Sequence, residues 1–131
     1  MELKRKEFTY RGKTIEELKA MDVREFAKYL EARSRRTVLR QFQDIEQFVA
    51  RAKEKVAKGK RIKTHKRDII IVPEMVGMNM QVYDGHSFVP VEVIGEMLGR
   101  RLGEFAITRK KVSHGTAGIG ATKGSKAQSK K

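Results

Sequence analysis

The stretch Glu104–Lys131 reads EFAITRKKVSHGTAGIGATKGSKAQSKK, and beyond Glu104 it holds seven lysines and arginines and not one carboxylate. Such a segment resists burial. Its charges repel one another, and its few apolar residues cannot offset the entropy lost on ordering. Residues 106–131 are therefore predicted to form a disordered basic tail, so the core has to come from the residues before it. The imbalance runs through the whole chain: thirty basic residues face sixteen acidic ones, a formal net charge of +14 in 131 residues. Self-repulsion of that size destabilises a compact state unless a polyanion neutralises it. Nucleic acid is the commonest such partner, and an anionic membrane surface is the second.

Length and apolar content, 131 residues and 39%, allow one small domain with extensions. There is no cysteine, which excludes a disulfide framework and thiolate metal ligands and fits a reducing compartment. No apolar run approaches the roughly 18 residues needed to span a bilayer. MELKRKEFTYRG has no apolar stretch of the kind a signal peptide needs. A soluble intracellular protein with no membrane partner is the expectation.

Three zones follow from the periodicity: a helical N-terminal region over 1–59, an α+β core over 60–105, and the basic extension over 106–131. In the first, Thr14 stands three residues before Glu17 and Asp22 three before Glu25, the spacing of two capping boxes. Val23, Phe26, Ala27 and Leu30 then share one helical face. Asp44 is predicted to open a longer helix with the stripe Ile45, Phe48, Val49, Ala52 and Val56, favoured at its C-terminal end by Lys53, Lys55 and Lys58. Gly59 stops it. In the second zone, DIIIVP (68–73) reads as a short strand closed by proline. Two further strands flank Asp84-Gly85, a hairpin signal. The three strands predict a small antiparallel sheet. Ile94, Met97, Leu98 and Leu102 follow as one or two helical turns weakened by Gly95 and Gly99. Met75, Met78 and Met80 are read as core filling.

No constellation points to catalysis. His65, His86 and His114 lack ligand spacing. The carboxylates are explained by caps, and no serine sits in a nucleophile elbow. GTAGIGATKG imitates a phosphate loop, but Ala121 and Thr122 stand where Lys and Ser/Thr are required. The prediction is a non-enzyme with no cofactor, no metal and no small-molecule substrate.

The informative feature is clustered positive charge: RSRR at 33–36, KGKRIKTHKR at 58–67, GRR at 99–101 and TRKK at 108–111. Each phosphate neutralised contributes about −0.7 to −0.9 to the salt dependence of affinity. No zinc finger, basic zipper or RNP motif is present. A small core with cationic extensions suits a folded RNA, between whose helices extensions can thread. A DNA-compacting, chromatin-like protein would share the charge and is the alternative.

The pieces IKTHKRDIIIVPEMVG (62–77), VYDGHSFVPVEV (82–93) and MLGRRLGEFAITR (97–109) occur in that order. They strongly resemble the universal small-subunit ribosomal protein family numbered nineteen. FTYRGKTIEELKAM (8–21) and HGTAGIGAT (114–122) resemble its archaeal and eukaryotic branch. One departure is Ile107, where bacterial members commonly carry proline. The resemblance implies a small α+β domain with a short antiparallel sheet, placed in the head of the small subunit and bound to small-subunit ribosomal RNA. It implies a neighbouring head protein, numbered thirteen, a contact with the large subunit, and a C-terminal extension reaching toward the decoding region and A-site tRNA. It carries over Lys63, Thr64, His65, Lys66, Arg67, Arg100, Arg101, Thr108 and Arg109 as RNA contacts. The basic clusters add Arg35, Arg36, Lys60, Arg61, Lys110 and Lys111, and the tail adds His114. Phe105 is expected to anchor the chain where the tail leaves the core.

Overall fold

The computed structural model describes residues 6–113, Gly115, Gly118 and 123–126. A minimal ribbon comes first: β1 (Thr9–Tyr10) pairs antiparallel with β2 (Lys13–Thr14). The two residues between them, Arg11 and Gly12, both have positive φ (47° and 81°), as a tight hairpin turn requires. Thr14 then caps α1 (Ile15–Lys19) with the predicted box. The Glu17 amide donates to Thr14 Oγ1 at 3.4 Å and the Thr14 amide to the Glu17 carboxylate at 3.3 Å. Asp22 caps α2 (Val23–Phe26) more locally, accepting the Val23 N–H at 2.8 Å. The predicted face of Val23, Phe26, Ala27 and Leu30 is buried throughout.

The long helix differs from expectation at its start. It does not open at Asp44; α3 runs from Ala32 to Ala57, with a non-helical break at Gln41 (φ −114°, ψ 20°). The missed half buries Ser34, Thr37 and Val38. Two of these are hydroxyl residues, so the apolar period fades even though the packing period persists. Burial is tolerated because the hydroxyls are satisfied: Ser34 Oγ reaches the Gly99 carbonyl at 3.3 Å, and Thr37 Oγ1 the Arg33 carbonyl at 3.1 Å. Gly59, at φ 66°, stops the helix as predicted.

The sheet is three-stranded but mixed rather than antiparallel. Its order is β3 (Ile62–Thr64), β4 (Asn79–Tyr83), β5 (Phe88–Glu92), with β3–β4 parallel and β4–β5 antiparallel. The edge strand lies inside the basic cluster, where Lys63 between Ile62 and Thr64 disguises it. The apolar run Ile69–Val72 is instead the crossover that lets β3 and β4 run the same way. It is buried on every side, with one isolated bridge between Ile70 and Arg101. Its backbone bonds to the later segment, Ile71 N–H to the Arg100 carbonyl at 2.8 Å and Leu102 N–H to that of Ile69 at 3.0 Å.

The hairpin lies where Asp84-Gly85 predicts, with the wider loop Asp84–Ser87 beyond the Tyr83–Phe88 pair. The segment after β5 forms two 3₁₀ turns, Gly95–Met97 and Leu102–Phe105, in place of α-helical turns. Gly99 between them has φ 79°, and a Cβ there would stand 2.9 Å from Leu30 Cδ2, which keeps this bend for glycine. Helices, crossover and the inner sheet face share one core, in which Met75 and Met80 are fully buried. Among the described residues the tail contributes one helical turn, α4 (Lys123–Lys126). Of the tail predicted to be disordered, Ala106 is buried in the core, 107–113 are exposed and form no regular element, and most of 114–131 lies outside the described residues. No described helix is long and apolar enough to cross a membrane.

Candidate nucleic-acid interface

Strand alternation builds one wall of the site. Ile62 and Thr64 point into the core, so Lys63 points out, followed by exposed His65 and Lys66. The second half of α3 supplies the other wall. Arg51 and Lys55, one turn apart, face Lys63 and Lys66 across a groove of about 320 Å³ floored by Phe48 and Ala52. Neither Arg51 nor Lys55 is among the contacts expected from the sequence, where Lys55 figures only as a favourable cation near the helix C-terminus. Their signal was present in the helical period, but only the fold shows that this face of α3 lies beside β3.

The predicted contacts divide by what their side chains do. Arg36, Lys60, Arg61, Lys63, His65, Lys66, Arg100, Thr108, Arg109, Lys110 and Lys111 are exposed. Lys60 and Arg61 line a second groove of about 410 Å³ with Val56, Met78 and Pro90. Thr64 is buried and accepts the Lys66 N–H at 3.0 Å, so it shapes the turn from beneath. Arg67 turns inward. Its guanidinium donates to the carbonyls of Tyr83, Gly103 and Ala106 at 2.7, 2.7 and 2.6 Å, tying together the crossover, the end of β4 and the root of the tail. Arg35 does the same for the turn after α2, donating to the carbonyls of Ala27, Lys28 and Leu30 at 3.1 Å each. The Ala27 carbonyl also accepts the Leu30 N–H at 3.2 Å, so Arg35 reinforces the end of this turn with a second donor. Arg101 is half-buried and reaches the Asp68 carbonyl at 3.2 Å and Thr37 Oγ1 at 3.4 Å. Phe105 is half-buried against the core. His114 lies outside the described residues.

Several acids are locally engaged. Glu74 pairs with Lys53, and Glu54 with Lys58 at 2.7 Å. Asp84 accepts the Ser87 and His86 N–H groups at 2.7 and 2.8 Å. These bonds, first that from Ser87, hold its carboxyl below the usual range, and nearby Lys110 adds to the effect against opposing burial. Among the described residues no group of three or more His, Asp or Glu is arranged to hold a metal ion. Asp44 lines the groove as its one acid, beside Arg51, Lys55, Lys63 and Lys66. Exposed cations are spaced along a strand edge, a helix face and the root of the extension, a geometry suited to phosphates at several points.

Comparison with known proteins agrees with this chemistry. The family model described as Ribosomal protein S19 matches residues 32–114. Small ribosomal subunit protein uS19 of Methanocella arvoryzae is 50% identical over 123 residues, covering 94% of this chain and 86% of that protein. The uS19 of Methanococcoides burtonii is 46% identical over 121 residues, 92% of this chain and 86% of its own length. That of Methanocorpusculum labreanum is 48% identical over 126 residues, 96% and 90% respectively.

Proposed function

This chain belongs to the ribosomal protein S19 family, and on that premise we propose that it is a structural component of the small-subunit head, holding small-subunit ribosomal RNA by electrostatic attachment. It is not an enzyme. The observation that carries the reading is the groove in which Lys63 and Lys66 face Arg51 and Lys55. Arg51 and Lys55 on α3, Lys63 on β3 and Lys66 in the turn after it gather positive charge around one groove, which raises the local potential for an anionic ligand. Arg36, Arg100, Arg109, Lys110 and Lys111 extend the footprint. The family resemblance supplies the neighbours: the head protein numbered thirteen, the large subunit across the head, and A-site tRNA toward which the C-terminal extension reaches, all within cytoplasmic ribosomes.

Competition binding tests the attachment. A small-subunit ribosomal RNA transcript should outcompete duplex DNA at equal salt, and Lys63→Ala with Lys66→Ala should lower the salt slope by about 1.4 to 1.8. Equal affinity for duplex DNA would favour the chromatin-like alternative. The tail's direction is tested through the chain's lack of cysteine. A Ser113→Cys variant carrying a cross-linker should label A-site tRNA in assembled subunits, and labelling confined to the solvent side of the head would reject that path.

A further inference from the structure

The outward face of the sheet carries something that charge does not explain. Its inner face is Ile62, Met80 and Val91 with Thr64 and Val82, all buried. Its outer face begins with Asn79 opposite Glu92, continues with Lys63, Gln81 and Pro90, and ends in three rings: His65 just past β3, and Tyr83 paired with Phe88. The His65 and Tyr83 ring centres are 4.5 Å apart, those of His65 and Phe88 5.2 Å, and those of Tyr83 and Phe88 5.1 Å. Tyr10, Phe42, Phe48 and Phe105 pack against the core cluster; Tyr83 and Phe88 are not part of it. His65 is exposed, and the other two rings are half-exposed.

Positive charge surrounds this row. Lys63 Nζ lies 5.3 Å from the Phe88 ring centre. Lys66 follows His65, and Lys110 is close enough to act on Asp84, the residue after Tyr83. Glu92, the acid on this face, sits at the opposite end of the strand pair. Rings beside cations on an open sheet face fit a splayed-out base, which offers a π-face to the ring and a phosphate on either side to the lysines. A purely apolar protein partner has no use for Lys63 over Phe88.

We propose that His65, Tyr83 and Phe88 form a stacking platform for an unpaired base of the bound RNA, with Lys63 and Lys66 holding the flanking phosphates. This rests on the RNA-binding reading above and adds a mode of contact to it. It also gives His65 a role distinct from that of the lysines around it.

The chain has no tryptophan, so Phe88→Trp in the full-length protein installs a single reporter on the platform. Titration with the small-subunit ribosomal RNA transcript should quench its emission in step with binding. Phe88→Leu and His65→Ala should each weaken binding about fivefold to about a hundredfold, the range for one stacked base. The salt slope should stay at its parent value, because no phosphate contact is lost. Full RNA binding with unchanged tryptophan emission overturns the platform and leaves the RNA-binding reading intact. So does emission that shifts only when other proteins of the subunit are added, which would make this face a protein contact. If Phe88→Leu fails to fold, the tryptophan reporter still decides. If the parent protein does not bind the transcript at all, both readings fall together.

Discussion

Arg67 and Lys66 are adjacent and equally charged, yet the fold puts them to opposite uses. Lys66 is exposed, whereas the Arg67 guanidinium is occupied by three backbone carbonyls. The guanidinium reaches these acceptors from two nitrogens of a rigid planar fork, whereas the three donors of a lysine all sit on one nitrogen at the end of a flexible stem. Replacing Arg67 with Met should therefore cost about 2–3 kcal/mol of folding stability, the scale of losing bonds to a charged donor and stranding their acceptors. Urea unfolding measures this, and the RNA salt slope of the still-folded protein should not change. Lys66→Ala should behave inversely, with stability changed by no more than about 0.5 kcal/mol and a shallower slope. Both residues lie in one basic run, and nothing local distinguishes them. The difference comes from carbonyls 16 to 39 residues away in sequence.

At the scale of elements, the hairpin between β4 and β5 is held by Asp84, whose carboxylate accepts the Ser87 and His86 amides and stays ionised more readily than an ordinary aspartate. A carboxyl with a depressed folded pKa stabilises fully above the unfolded value near 4 and loses that contribution as pH falls through the folded value. The parent protein should thus lose part of its stability in acid below about pH 4. Asp84→Asn, which keeps an acceptor oxygen but cannot titrate, should show a smaller loss over the same window in thermal melts at stepped pH. The loop belongs to the same element as the ring row, so its integrity also sets the position of Tyr83 and Phe88. Asp-Gly was legible as a turn. The two-amide clasp was legible only in part, because it depends on a loop wider than the tight turn those two residues favour.

For the molecule as a whole, the surplus of +14 acts on folding and on binding with opposite sign. Raising salt from 10 to 150 mM shortens the screening length from about 30 to about 8 Å. Self-repulsion in the free protein weakens, so its melting temperature should rise over that range. RNA affinity should fall over the same range as counterion release becomes less favourable. Calorimetry and filter binding in matched buffers check the pair; a melting temperature that falls with salt would mean that attractive ion pairs, not repulsion, dominate the free fold.

What the sequence determined by itself is everything set by near neighbours or by simple sums: the Thr14 box, the buried face from Val23 to Leu30, the Gly59 stop, the place of the hairpin, and the surplus of positive charge. Capping, period and charge balance act over a few residues or over the sum of them all, so they can be read without coordinates. The motifs at 62–109 added the family. Only the tertiary structure decided that β3 lies within a basic run and parallel to β4, that Ile69–Val72 is a buried crossover, and that α3 extends back to Ala32 through a hydroxyl-bearing face. It also decided that the Arg35 and Arg67 guanidiniums are taken up by backbone carbonyls while His65 joins Tyr83 and Phe88. Each of these depends on which distant backbone or ring supplies the partner, and pairing between segments far apart in the chain leaves no periodic trace in either one.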